Sequence, residues 1–317
     1  MITAKIIADS VSAHTGQRIT TFELEYPRFI HAEFMTHRQF SRNAASSRAI
    51  PIAKMVELVK ENPAMPIHWG KNQSGMQANE QLPYDDITEA MDTWLWSCGN
   101  SIIAVNMLNE LGLHKQVANR LLEPFQNIKV VCTATSYDNF FHLRYHKDAQ
   151  PEIQELARKM YQHLQISEPQ ELSYGEWHLP YVANMRDEKG QLLYFTYLDD
   201  GFRQFLTLEQ AKKISCSCCA QVSYRKTDDS LEKAIAIYDK LVNSQPVHAS
   251  AFEHCATPTD IFKYSLVDTN SLLEDGITGL SYGEKCSLTS GNFTNWIQYR
   301  QLIKDHDCKE FKKELST

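Results

Sequence analysis

The chain has 317 residues, of which 43% are hydrophobic and 22% charged, with a formal net charge of −7. Such proportions suit a globular protein with a sizeable core that needs no disulfide or metal. No run reaches the ~18 apolar residues of a spanning helix, the opening residues 1–6 lack a signal-peptide pattern, and the acidic balance argues against a whole-surface nucleic-acid binder, so a cytoplasmic protein acting on small ligands is expected.

Residues 2–8 and 20–26 read as strands, the second from the alternation of Phe22, Leu24 and Tyr26 with polar neighbours. An arginine- and serine-rich stretch follows over 27–50. Pro51 suits the first turn of a helix reaching about Glu61. Residues 62–82, rich in Pro, Gly, Asn and Gln, read as a loop; the part from His68 to 80 is a surface loop or a substrate lid. A long helix is expected from Asp85 to Leu111, with Ile87, Met91, Trp94, Cys98, Ile102, Val105 and Leu108 on one stripe. A short helix from His114 to Leu122 should end before Pro124, Ile128 to Ala134 reads as a buried strand, and a helix starts near Pro151. Residues 166–213 are weakly patterned, apart from a strand over Leu192 to Leu198. A helix from Asp229 to Val242 follows Ser223, and Trp296 to Arg300 reads as an extra strand. No linker or repeat divides the chain. The expected class is α+β, an antiparallel-rich sheet flanked by helices with extra C-terminal elements, in a single domain over 1–317.

Eight cysteines are present, with Cys216, Cys218 and Cys219 crowded together. Adjacent cysteines fit a metal tetrahedron poorly and no second Cys-x-x-Cys pair exists, so reduced, partly buried thiols and no metal site are expected.

The strongest local signal is Thr36 to Arg48, which holds three arginines, one histidine and three serines in thirteen residues. Guanidinium forks, hydroxyls and loop amides suit phosphate and pyrimidine carbonyls. By composition alone a solvated polar loop fits equally well.

The register of His37, Arg38, Ser41, Asn43, Ser46 and Arg48 resembles the signature Arg-His-Arg-x-x-Ser-x-Asn-Glu-x-Ser-x-Arg of the flavin-dependent (alternative) thymidylate synthases. Thr36 and Ala44 depart from it. A second block agrees: Arg120 precedes Glu123-Pro124, where the family has Leu-Pro, then Asn139, Arg144 and Ala149-Gln150-Pro151-Glu152-Ile153 follow. Asp148 stands where a His is frequent. A third block is similar to one that usually precedes the signature: Ala220-Gln221-Val222-Ser223-Tyr224, a helix, then His248-Ala249-Ser250-Ala251-Phe252-Glu253-His254. The signature and arginine blocks thus lie within 1–165 and the third within 215–255. That order resembles a circular permutation and a phage-associated branch of the family.

The resemblance implies a homotetramer with FAD as cofactor, NADPH and methylenetetrahydrofolate as co-substrates, a pyrimidine deoxynucleotide as substrate, and no cysteine nucleophile. It places His37, Arg38, Asn139, Arg144, Ser250 and Glu253 against the flavin cofactor. Ser46, Ser47 and Arg48 would cradle the nucleotide phosphate, and Arg120 and Arg144 would face the pyrimidine as the catalytic pair. Glu33 aligns with a family glutamine near the nucleotide. His248 and His254 are equally readable as core-edge histidines, Asn139 as a turn cap, and Ser223 as a helix N-terminal residue. Two alternatives stay open: a hydroxymethylated pyrimidine product, motivated by Ala44, and a non-catalytic nucleotide- or flavin-binding module, motivated by Thr36, Ala44 and Asp148.

Overall fold

Two ten-residue strands, β1 (Thr3–Ser12) and β2 (Arg18–Pro27), open the computed structural model, which describes residues 1–198, 200–222, 230–244, 246–259 and 291–307. The described residues gather into two compact units. The first holds residues 1–7, 21–168 and Val222; the second holds 8–20, 169–221 and the described residues from Ser230 onward.

In the first unit β2 leads through a 3-10 turn, Arg28–Ile30, into the short α1 (His31–Phe34) and then β3 (Ser41–Ala44). Helix α2 (Ile52–Glu61) begins straight after Pro51, whose fixed φ prepares the first turn. Helix α3 (Tyr84–Glu110) follows Pro83 and carries Asp85 and Asp86 in its first turn, where carboxylates meet the positive end of the helix dipole. Beyond α4 (Lys115–Ala118) the chain does not stop before Pro124. It continues as a 3-10 run, Asn119–Phe125, with Pro124 inside. The tighter winding loses only one donor at the proline. Strand β4 (Asn127–Ala134), helix α5 (Asp138–Arg144) and helix α6 (Pro151–Ile166) complete the unit.

The strand order in this unit is β3-β4-β2-β1, with β3 antiparallel to β4 and Ser41 opposite Thr133. Helices α5 and α6 cover the sheet through Phe140, Ile153, Leu156 and Met160, all essentially without exposure. Each such side chain contributes about 1.5–3 kcal/mol by leaving water. A separate cluster joins Met55, Val56 and Val59 of α2 to Cys98, Ile102 and Val105 of α3.

The 62–82 segment has no helix, as its composition foretold, yet it is tied down. The Trp94 indole donates to the Ala64 carbonyl at 3.0 Å. Glu152, 3% exposed at the start of α6, accepts from the Ile67 amide at 2.9 Å and from the Gln150 side chain at 3.1 Å. Replacing Glu152 by alanine removes the charged acceptor of the part-buried Ile67 amide and of the Gln150 side chain. A stability loss of about 1.5–3 kcal/mol is expected, read as a lower urea midpoint; an unchanged midpoint would remove this anchor.

In the second unit the end of β1 pairs in parallel with β5 (Gln170–Leu172), Ser10 opposite Gln170. The weakly patterned 166–213 region resolves into an antiparallel three-stranded sheet of β6 (Ala183–Arg186), β7 (Leu192–Tyr197) and β8 (Arg203–Leu206). Helix α7 (Leu208–Ala220) then starts at a reciprocal capping box between Thr207 and Gln210. It packs against α8 (Leu231–Val242). Strand β9 (Ala256–Pro258) pairs antiparallel with β10 (Trp296–Gln298), so the expected 296–300 strand is shorter and turns into a 3-10 helix at Tyr299. Cys216, Cys218 and Cys219 of α7 are wholly buried thiols outside any disulfide, rather than partly buried ones. Burial pushes Cys216 and Cys219 well above the ordinary thiol range, which makes them poor nucleophiles. The architecture is α+β, with antiparallel-rich sheets flanked by helices. No helix among the described residues is long and apolar enough to cross a membrane.

Candidate functional site

The Thr36–Arg48 stretch folds as a tight turn followed by the edge strand β3. An aromatic cluster seats the turn. Phe40 packs on Tyr137 with centroids 5.0 Å apart, and Phe34 meets Phe140 edge-on at 5.8 Å. His37, only 9% exposed, stands edge-on to Phe140 at 4.9 Å and stacks on Phe40 at 5.8 Å. Arg42 closes α1 by donating to the Met35 carbonyl at 3.0 Å.

Three elements then converge. Arg144, the last residue of α5, donates from Nε to His37 Nε2 at 3.0 Å and pairs through Nη1 with the Glu33 carboxylate of α1. Nε2 is therefore the bare acceptor and Nδ1 carries the proton of a neutral ring. Burial, then Arg144 and Arg42, hold the His37 pKa down at about 4. Burial, then Arg28 and Arg42, hold His31 down at about 4 as well. The guanidinium of Arg144 is thus oriented from two sides by one acceptor of each kind, anionic and neutral.

These shifts have a sign. The unfolded chain takes up protons on both histidines near the usual value of 6.5, whereas the folded chain resists until about 4. Stability is therefore full above the unfolded value and declines as pH falls through that window. The unfolding midpoint is expected to drop between these pH values, and to drop less in His37→Gln; equal slopes in the two proteins would refute the assignment.

A second knot centres on Glu123 in the 3-10 run. Its Oε1 accepts from Arg120 at 2.7 Å, Arg28 at 3.0 Å and the Ser47 hydroxyl at 3.3 Å. Asn119 donates to the carbonyls of Ser47 at 2.7 Å and Ile50 at 2.9 Å. The turn that carries Ser46 and Arg48 is fixed in this way. Ser47 is buried with its hydroxyl directed to Glu123, while Arg48 is exposed and makes no ion pair among the described residues. Arg38 and Asn139 are exposed too, and Arg38 likewise has no ion pair there. Glu123, Arg28 and Asn119 escaped sequence reasoning, although Glu123 was visible as the residue standing in place of a leucine.

Ser250 and Glu253 belong to the second unit. Ser250 is exposed, and Glu253 pairs with Arg300 and accepts from Gln298 through its backbone carbonyl at 3.2 Å. His254 is fully buried and His248 exposed. Ser223 and Tyr224 of the third block lie outside the described residues.

Beside Arg144 and Glu33 lies a cavity of about 560 Å³, walled by Phe29, Trp94 and the His68 side of the 62–82 segment. Asp148 stands at its edge.

The sequence pattern described as "Thymidylate synthase complementing protein" matches residues 7–170, just over half of the chain. The third block lies beyond that match. No curated protein matches. Among solved structures, the UMP/dUMP methylase PolB from Streptomyces cacaoi with 5-Br dUMP is 15% identical, with a TM-score of 0.43 over 52% of this chain and 90% of that one. The same protein with 5-Br UMP is 17% identical, with a TM-score of 0.43 over 52% and 88%. Both likenesses are too loose to carry an argument about the site.

Proposed function

Because the chain belongs to the thymidylate synthase complementing protein family, the flavin-dependent thymidylate synthases, we propose that it transfers a one-carbon unit to C5 of a deoxyuridylate-like nucleotide. The observation that supports this reading is the pairing of Glu33 and Arg144, both within the matched segment, on one cavity wall, with His37 holding Arg144 from behind through its Nε. Arg144 is held where a fixed cation stabilises negative charge on the pyrimidine oxygens as C5 becomes nucleophilic. Arg120 serves the same ring. Ser46, Ser47 and Arg48 hold the nucleotide phosphate, with Ser47 acting through its place in the pinned turn.

The exposed Arg38 and Asn139 fit a dinucleotide, whose phosphates suit a guanidinium that makes no ion pair among the described residues. FAD is assigned to them and to His37 and Arg144. When bound, the flavin supplies the hydride and carries the carbon, with NADPH as reductant and methylenetetrahydrofolate as donor. Every cysteine among the described residues is buried, in keeping with a reaction that uses no thiolate.

A homotetramer is part of the proposal. Trp96, Ile103 and Met107 of α3 are exposed on the face opposite Cys98, Ile102 and Val105, and a second apolar face on one helix suits a subunit contact. A hydroxymethylated product is the second reading, favoured by Ala44, which leaves β3 without the family's carboxylate opposite Val130. Turnover with FAD, NADPH, methylenetetrahydrofolate and deoxyuridylate, followed by mass spectrometry, tests both. Thymidylate supports the first reading and a hydroxymethyl nucleotide the second. A FAD-loaded protein that forms neither overturns both.

A further inference from the structure

The three-stranded sheet of the second unit ends in a free edge. Its strand order is β6-β7-β8, so β8 has a strand on one side only. At the hairpin the Leu198 amide donates to the Phe202 carbonyl at 2.9 Å, and along the ladder Thr196 faces Gln204 and Tyr197 faces Arg203. Backbone groups of Phe202, Gln204 and Leu206 therefore point at β7, and those of Arg203 and Phe205 point away from it. Soluble proteins guard such edges with proline or a bulge. Arg203–Leu206 contains no proline, and its register with β7 is unbroken. The hairpin is also apolar where it meets water: Tyr197, Phe202 and Phe205 are 58%, 72% and 56% exposed. Phe195 lies against Tyr197 and Phe205, with centroids 5.4 and 5.9 Å away, and the Arg203 guanidinium sits 4.9 Å from its ring centre.

A strand that adds to this edge must bond Arg203 and Phe205, so its own outward-pointing residues must lie opposite them. A second copy of β8 does so in an antiparallel pair whose two-fold axis passes through Gln204. Arg203 then lies opposite the partner's Phe205, and Phe205 opposite the partner's Arg203, each pair exchanging both backbone hydrogen bonds. On that face a guanidinium meets an aromatic ring in both pairs. On the other face Phe202 lies opposite the partner's Leu206. A slip of the register one way sets Arg203 opposite the partner's Arg203, like charges face to face. A slip the other way sets Arg203 opposite the partner's Thr207, with no ring to meet. We propose that the free edge of β8 is an isologous interface, pairing in the Gln204-centred register with a second copy of this chain. None of these residues lies in the segment 7–170 that the family pattern matches, so the contact goes beyond the proposed C5 transfer.

The test is the mass of the full chain by light scattering over a range of protein concentrations, for the natural protein and three variants. Phe205→Lys puts an ammonium opposite the partner's Arg203, and Phe205→Pro removes an N–H that the β7 ladder does not use. Each is expected to halve the mass at concentrations where the natural chain is paired. Phe205→Glu loses the same ring but sets a carboxylate opposite the partner's Arg203, and is expected to keep the pairing; it also controls for folding. In Gln204→Cys the two thiols face each other across the axis, where Cα atoms stand about 4.5 Å apart and a disulfide can close. Oxidised glutathione should link that variant into covalent dimers about tenfold faster than Arg203→Cys, whose thiols lie two residues apart along the pair. A mass untouched by Phe205→Lys overturns the proposal. An equal fall in Phe205→Lys and Phe205→Glu does so too, as the mark of an apolar patch without register, and so does Gln204→Cys linking no faster than Arg203→Cys. A natural chain that stays single at every concentration overturns it and leaves the edge to a strand of another protein. A multimer that persists in Phe205→Lys at half the natural mass supports the β8 contact beside a second one at α3.

Discussion

Replacing Arg144 by alanine is expected to lower kcat/KM for the nucleotide by about 10²–10³-fold, most of it in kcat, which is the usual cost of removing one preorganised donor to developing charge. The expectation follows from how the side chain is held. One edge is fixed by the Glu33 carboxylate and the Nε by neutral His37 at 3.0 Å, so the cation needs no reorganisation when charge appears on the ring. The substitution also leaves Glu33 as an unpaired carboxylate at the cavity wall, which opposes the same charge. Arg144→Lys keeps the positive charge but lacks the planar fork that meets both partners, so an intermediate loss is expected. Steady-state kinetics with melting curves separate this from misfolding. A folded alanine variant with unchanged kcat would take Arg144 out of the chemistry.

Arg48→Ala is expected to raise KM for the nucleotide by about 10–100-fold, with kcat little changed. A charge-assisted hydrogen bond is worth about 1.5–3 kcal/mol, which converts to that range. Arg48 has no ion pair among the described residues, and the turn beneath it is pinned by Asn119 rather than by its own side chain. Stability should therefore stay within about 0.5 kcal/mol of the natural protein. The KM effect should weaken as salt is added, because the contact is exposed. Equal falls in kcat and KM-independent loss of folding would both contradict a phosphate role.

Local signals were legible where one short-range force dominates. The alternation of Phe22, Leu24 and Tyr26 marks a strand buried on one face, and all three are fully buried. Pro51 and Pro151 mark helix starts because their fixed φ suits a first turn. Helix α7 was missed because its buried face is built from Ser215, Ser217 and cysteines, small residues that blur an apolar stripe. Its Thr207/Gln210 capping box was the available signal. The site was legible in part. Arg38, Arg48 and Arg144 stand out as cations in a phosphate-suited register with His37 beside them, but their partners do not. Glu33 lies 111 residues from Arg144, and Ser47 lies 76 from Glu123. Which carboxylate meets which guanidinium is set by packing of α1 against α5 and of the 46–50 turn against the 3-10 run, and no local pattern encodes it.

Flavin dependence is the centre of the proposed chemistry, and the visible absorbance spectrum of the purified protein tests it most directly, with any released chromophore identified. A bound-flavin spectrum that disappears together with activity in Arg38→Ala is the expected result. A colourless protein that FAD does not reconstitute would contradict it, leaving the fold and family in place and a nucleotide-binding module as the reading that survives.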